Sequence, residues 1–292
     1  MPRRKPLKAT VLVAAHKAFK YESFGDSYQV IQVGSAGAKT RLPYLHDDVG
    51  ENISAKNNTY CELTALYWGW KNLDSDIKGL CHYRRYLAHH WFAVNQKKNV
   101  LTDEELRQYL QKYDLLVSKP GYRTLELSWY PMGCGLEHDR PYVYTKRAIC
   151  NICPEYLPAF ERVYHGRFIC PLNIVIGKSN VFDDYCSWLF SVAQEIERLL
   201  DEDGGVPPRE IGFITERLLS VYIEKNKDSL KVKGFPVAQI DKTSQKGNLI
   251  KVCMERVGLY KVMVFIRGWM TFLKYYVQLL LGKPVINSKE YV

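Results

Sequence analysis

The sequence predicts an α/β protein organised on a mostly parallel sheet, and three observations point there. Residues 8–15 (KATVLVAA) form a near-continuous apolar run, which is how a strand buried on both faces reads. Further along, short apolar runs alternate with capped, amphipathic helical patterns. Finally, residues 47–87 join a polar loop, an aromatic helix, a connector and an apolar strand ending in His82-Tyr83-Arg84-Arg85-Tyr86. Open α/β sheets place ligands at the carboxyl ends of strands, so a strand that stops in a cationic cluster marks an anion site.

Taken in order, the strand at 8–15 is followed by His16-Lys17, where His16 is either a ligand contact or a loop histidine. Residues 28–33 (YQVIQV) read as a second short strand and 34–41 as a small-residue loop. Thr59-Tyr60-Cys61-Glu62 fits a capping box, with Thr59 as N-cap and Glu62 reaching back to its amide; this gives Glu62 a structural role and predicts a helix over 60–71. Leu63, Leu66, Tyr67 and Trp70 share one face of it. Residues 78–83 form the next strand. A second capping box, Thr102 to Glu105, opens a helix to about residue 113, and 114–118 (DLLVS) is a strand.

Residues 119–140 are irregular and carry Trp129, His138 and Asp139; a long polar-aromatic loop of this kind is usually functional. Residues 172–177 (LNIVIG) form a strand. Asn180 is the expected cap of a helix over 181–200, whose acidic start suits the helix dipole. A turn-rich linker at 201–208 precedes a helix from Arg209 to about Asn226, and residues 231–237 form a last strand.

The 292 residues carry 41 Lys and Arg against 31 Asp and Glu, a net charge of +10. The partner is therefore anionic. The basic residues are scattered, not set in a stripe with stacking aromatics, which argues against nucleic acid. The eight cysteines lie mostly in apolar runs, as reduced, buried thiols do. Cys150 and Cys153 form a lone CxxC with no second pair to complete a zinc site. The basic start, Met1 to Lys5, has no apolar segment behind it and does not read as a signal peptide. These features predict a cytoplasmic protein.

The division expected is a main domain at 1–240 and a helical, basic-aromatic appendage at 241–292. Residues 249–281 lack a long uncharged apolar run, so they do not read as a membrane span. Their basic-aromatic mix fits a helix lying on an anionic leaflet; the other reading is a helix packed on the core or a second subunit. Homo-oligomerisation is left open.

Three blocks carry a family resemblance: Asp47-Asp48 through Glu51-Asn52-Ile53-Ser54, Tyr60 through Trp68, and Gly79 through Tyr86. With Asn173-Ile174-Val175-Ile176, Phe182 through Phe190 and Gly212 through Leu219, they occur in an order that resembles the bacterial polysaccharide-biosynthesis domain long catalogued as of unknown function. Its members are associated with capsule, exopolysaccharide and O-antigen synthesis, and some are assigned as galactofuranosyltransferases. The resemblance spans roughly residues 8–226. It implies a GT-A-like, single nucleotide-binding domain that moves a sugar, galactofuranose by this likeness, from a UDP-sugar to a lipid-linked glycan at the inner face of the cell membrane.

Glycosyl transfer develops negative charge on a diphosphate leaving group, which the enzyme must neutralise. Many GT-A enzymes do so with Mn or Mg held by an Asp-x-Asp after a central strand. Here that strand ends in His82-Tyr83-Arg84-Arg85, and Asp74-Ser75-Asp76 lies before it; the cofactor stays open, and Asp47-Asp48 is the alternative metal pair. The expected donor-binding residues are His16, Asp47, Asp48, Asn52, His82, Tyr83, Arg84 and Arg85, since arginine matches phosphate geometry. An inverting transfer also needs a base. Glu216 is the candidate, with a salt bridge to Arg209 as the bland alternative and His138-Asp139 as the fallback pair. Asn173, Arg217 and Trp129 are expected on the acceptor side. A non-catalytic basic module binding polyanions or anionic membrane is the competing function.

Overall fold

The computed structural model describes residues 7–20, 24–119, 140–165, 170–240 and 249–259, with scattered positions from there to 281. Its spine is β1 (Ala9–Ala15), buried along its whole length because parallel strands flank it on both sides. These are β2 (Tyr28–Gln32) and β4 (Ile77–His82). Beyond β2 lies the short parallel strand β3 (Leu45–His46). On the other side of β4 come β7 (Val175–Lys178), β6 (Leu115–Ser118) and β8 (Val232–Phe235). The pairings of β7 with β4 and with β6 are antiparallel, whereas β6 and β8 are parallel. Along this path β7 is therefore the single reversed strand.

That reversal positions the site. The carboxyl ends of β1 and β4 lie at one edge of the sheet, and the start of β7 comes to the same edge because β7 runs the other way. The chain then doubles back after β4: β5 (Arg85–Leu87) pairs with β4 and with β9 (Val237–Gln239). The expected last strand at 231–237 is thus two strands, interrupted at Pro236, whose ring nitrogen has no ladder donor.

Alternation along β1 sends Leu12 and Ala14 into one core and Val11, Val13 and Ala15 into the other. The first core is covered by α2 (Leu63–Asn72), α4 (Arg140–Ile152), α5 (Leu157–Tyr164), α6 (Ser179–Glu202) and α7 (Glu210–Lys225). The second is covered by α3 (Asp103–Lys112) and aromatic side chains of the loops. Gly69 lets α2 lie close on the sheet, since a Cβ there would fall 2.8 Å from the Leu12 side chain. Lys78 is buried in β4 and bonds the Asp183 carboxylate at 2.8 Å, which gives Asp183 a partner more specific than the helix dipole.

Some expectations change. The capping box at Thr102 forms as predicted. The one at Thr59 does not: Thr59 lies inside the short helix α1 (Asn57–Tyr60), its hydroxyl donating to the Lys56 carbonyl, and the helix breaks at Cys61 before α2 begins. Asn180 is not a cap, because α6 starts at Ser179 directly after β7. The strand expected at 172–177 begins only at Val175. Helices α4 and α5 escaped the sequence reading, and the CxxC falls at the end of α4 as one exposed and one buried free thiol.

The polar loop after β3 is held from within. Asp47 is fully buried and accepts hydrogen bonds from the amides of Gly34 (2.8 Å) and Ser35 (2.9 Å) and from the Ser54 hydroxyl (2.5 Å). Asp48 pairs with both terminal nitrogens of Arg41. Asn52 closes a local turn by donating to the Gly50 carbonyl and accepting from the Ser54 amide. Because Asp47 is fully buried and joins two loops, Asp47→Ala is expected to cost about 3 kcal/mol, read as a lowered urea midpoint.

Candidate functional site

Four non-glycine residues have positive φ among the described residues: Cys61 (52°), Leu172 (76°), Asn173 (49°) and Arg209 (65°). Each such conformation costs roughly 1–3 kcal/mol and persists only where surrounding structure enforces it. All four meet in one place, and the contacts between them define the site.

Cys61 interrupts the helix with ψ of −129°, which turns Glu62 inward. There Glu62 Oε1 accepts a hydrogen bond from Asn173 Nδ2 at 2.9 Å and lies 3.5 Å from His82 Nε2. Asn173, bent by its own left-handed backbone just before β7, also approaches the Gly212 carbonyl at 3.4 Å. His82, the last residue of β4, has Nε2 3.2 Å from the Leu172 carbonyl. Gly212 sits against Cys61, where a Cβ would meet the cysteine Cβ and Sγ at 3.2 Å. Arg209 is fixed by its amide, which donates to the Asn58 carbonyl at 2.7 Å. Glu62, expected to cap a helix, is thus a member of the site; its partners are remote in the sequence and nothing local marks it.

Glu216 lies one turn beyond Gly212 on α7. Burial pushes its carboxyl above the ordinary glutamate range, and the negative charge of Glu62 pushes the same way; His82, Arg85 and the Leu172 amide oppose. Glu62 goes the other way. Burial would raise it, but His82 and the hydrogen bond from Asn173 outweigh burial and hold it below the usual range. Two carboxyl groups in one site are driven apart, the pattern by which acid and base roles are separated.

A cationic rim faces them. His16 follows β1 and lies edge-on to Tyr83, with ring centroids 5.5 Å apart. Burial and the charges of Lys17, Arg84 and Arg209, together with His82, press its pKa down, so cationic groups crowd this end of the sheet. Tyr83 and Arg84 form the two-residue turn between β4 and β5, and the Arg84 guanidinium lies 4.9 Å over the Tyr83 ring. Arg85 enters β5. Two buried polar atoms here have no hydrogen-bond partner among the described residues, Asn173 Oδ1 and the Tyr83 hydroxyl.

Of the expected residues, the structure brings together His16, His82, Tyr83, Arg84, Arg85, Asn173 and Glu216. Asp47 and Asp48 lie beyond β3, three strand spacings or roughly 14 Å from β4, and their carboxylates and Asn52 serve the loop. The guanidinium of Arg217 lies 4.8 Å over the Tyr164 ring, on the side facing α5. Arg209 stacks on Phe213 at 4.8 Å and sits beside Cys61 instead of bridging to Glu216. Trp129, His138 and Asp139 lie outside the described residues. Among the described residues, the donors do not suit a divalent metal held by paired aspartates. The end of β4 offers guanidinium groups, Glu62 is engaged by Asn173, and Asp76 accepts the Lys8 amide at 2.8 Å before the strand begins.

The raised Glu216 pKa has a stability consequence. A carboxyl that holds its proton more tightly in the folded state destabilises the fold once pH rises above the folded pKa and the group ionises. Glu216→Gln is therefore expected to raise the melting temperature at neutral pH by about 2 °C. The gain should vanish below the ordinary glutamate pKa, where the carboxyl is protonated folded and unfolded; calorimetry at both pH values checks it.

No curated protein matches the chain. A solved structure described as the apo form of the WbbM bifunctional glycosyltransferase matches with a TM-score of 0.71 at 27% identity, over 80% of this chain and 46% of that one. The chain thus spans less than half of that protein, and the shared fold is a GT-A-like, mixed α/β domain. The family model described as a domain of unknown function, DUF4422, matches residues 10–227. With that match across most of its length, including every residue of the site just described, the chain belongs to the DUF4422 family.

Proposed function

We propose that the domain is an inverting glycosyltransferase that moves a hexose, galactofuranose in our reading, from its UDP-sugar to a lipid-linked glycan during surface polysaccharide synthesis. The observation that carries this reading is the convergence of Glu62, Asn173 and Glu216 with His16, His82, Tyr83 and Arg84 at the carboxyl ends of β1 and β4. The likeness to a glycosyltransferase structure supports it.

In this reading Arg84 and Arg85, with Arg209 opposite, stabilise the diphosphate as charge develops on it. His16 and Tyr83 line the donor side. Glu216 takes the proton of the acceptor hydroxyl, and its withdrawal from solvent, with the negative charge of Glu62 beside it, makes it a stronger base than a solvated carboxylate. Asn173 offers its free Oδ1 to a sugar hydroxyl. Residues up to about 240 form the catalytic unit.

A screen of UDP-sugars against a synthetic polyprenyl-diphosphate-linked glycan tests this, with released UDP as the readout. Transfer from UDP-galactofuranose is expected. Glu216→Gln is expected to lower kcat by about 10²–10⁴-fold while UDP still raises the melting temperature. Absence of binding to every nucleotide sugar, with salt-sensitive binding to polyanions instead, would establish the non-catalytic alternative.

The tail bears on localisation. Helix α8 (Leu249–Arg256) is tied to the loop after β5: the amides of Trp91 and Phe92 donate to Glu255 at 3.0 and 2.8 Å, and Arg256 contacts the His90 ring. Beyond it, Val262, Ile266, Trp269, Leu273 and Val277 are exposed at helical spacing. No helix among the described residues is long and apolar enough to cross a membrane. Exposed apolar positions interleaved with basic ones fit peripheral attachment to the inner, anionic face of the cell membrane. Deleting residues 249–292 is expected to abolish co-sedimentation with vesicles containing phosphatidylglycerol; retention would place the contact elsewhere.

A further inference from the structure

We propose that Glu62, fixed as an anion by Asn173 and His82, is a positioning residue that keeps the neighbouring Glu216 a competent proton acceptor. The inference rests on the reading of Glu216 as the base and gives that base a device for its strength.

The geometry carries it. Glu62 is aimed inward by a backbone that only enforced packing maintains, since Cys61 adopts φ of 52° and ψ of −129°. Glu62 stands at the N-cap of α2 and its carboxylate takes its own amide hydrogen, but it makes no reciprocal capping box of the kind Glu105 makes with Thr102, whose amide it receives at 2.8 Å. Its Oε1 instead takes the Asn173 Nδ2 hydrogen at 2.9 Å and faces His82 Nε2 at 3.5 Å. Asn173 is itself distorted, nearly fully buried, and turned toward Gly212 on the helix that carries Glu216. Two distortions thus converge to hold one carboxylate in place beside another.

A fixed anion raises the proton affinity of a neighbouring carboxyl. The groups facing Glu216 are Glu62 from the α1–α2 break, His82 from β4, Arg85 from β5 and the amide of Leu172 before β7. Arg85 and His82 would make it a weaker base, and among these groups Glu62 alone acts the other way. Those facing Glu62 are His82, Asn173, the Cys61 thiol and Glu216. The alternative is that Glu62, His82 and Asn173 only staple three segments together.

Carbon-13 NMR titration of glutamate side-chain carboxyls separates the two, with Glu216 assigned through Glu216→Gln. Wild-type Glu216 should titrate above ordinary glutamate and Glu62 below it; ordinary titration of either overturns the proposal. In Glu62→Gln, isosteric and still able to accept from Asn173, the Glu216 midpoint should move to lower pH. Glu62→Ala is a second neutral variant, and either folded protein decides. With UDP-galactofuranose as donor, the acid limb of kcat/KM should shift to lower pH with the midpoint and the plateau of kcat should fall. An unmoved midpoint leaves Glu62 a staple and overturns the proposal. Should Glu216→Gln retain wild-type turnover, the base assignment falls instead, so the two failures are distinct.

Discussion

The hydrogen bond from Asn173 Nδ2 to Glu62 Oε1, 2.9 Å long and spanning 111 residues of sequence, is the constraint on which the site depends. It joins the break between α1 and α2 to the turn that enters β7, and through the Gly212 carbonyl it reaches α7 as well. It can form only because β7 runs antiparallel to β4. In an all-parallel sheet the start of that strand would lie at the opposite edge, away from His82 and the arginines. One reversed strand therefore converts a generic α/β edge into a place where three separate loops meet.

The electrostatics follow from this arrangement. The carboxyl ends of β1 and β4 gather His16, Lys17, Arg84 and Arg209, and burial, with the crowding of like charge added to it, lowers the His16 pKa. Charges of one sign are held close only where an anion compensates them or where packing leaves no alternative. Glu62 and Glu216 lie next to this rim, with His82 3.5 Å from Glu62 and with His82 and Arg85 facing Glu216.

Much of the fold was legible because its signals are local. The run at 8–15 declares β1 by its unbroken hydrophobicity, and Thr102 with Glu105 declares α3 by spacing alone. The same T-x-x-E spacing misleads at Thr59. There the helix is too short to need that cap, and His82 and Asn173 draw Glu62 inward. Local pattern is identical in the two cases, and the tertiary partners differ. The cationic strand end was readable for the same reason that β1 was, since its four residues are contiguous. Glu216 was singled out as a carboxylate near the start of a late helix, and the structure sets it well inside α7 (Glu210–Lys225), one turn beyond Gly212. The roles of Glu62 and Arg209 depend on contacts across most of the chain, and the acidic loop at Asp47 looked ligand-binding because buried carboxylates and exposed ones read alike in sequence.

The strain at Cys61 is informative about selection between stability and function. A glycine at that position would relieve a φ of 52°, and an ordinary helical residue would relieve it by letting α1 run on into α2. Both would stabilise the fold locally. The chain instead keeps a non-glycine residue in this conformation, packed against Gly212 so that a Cβ there would meet the Cys61 side chain at 3.2 Å, while Asn173 and His82 hold the Glu62 carboxylate. Rigidity at this point matters more than relaxed backbone, because the influence of one carboxylate on another falls with distance and a mobile Glu62 would leave Glu216 to the cations.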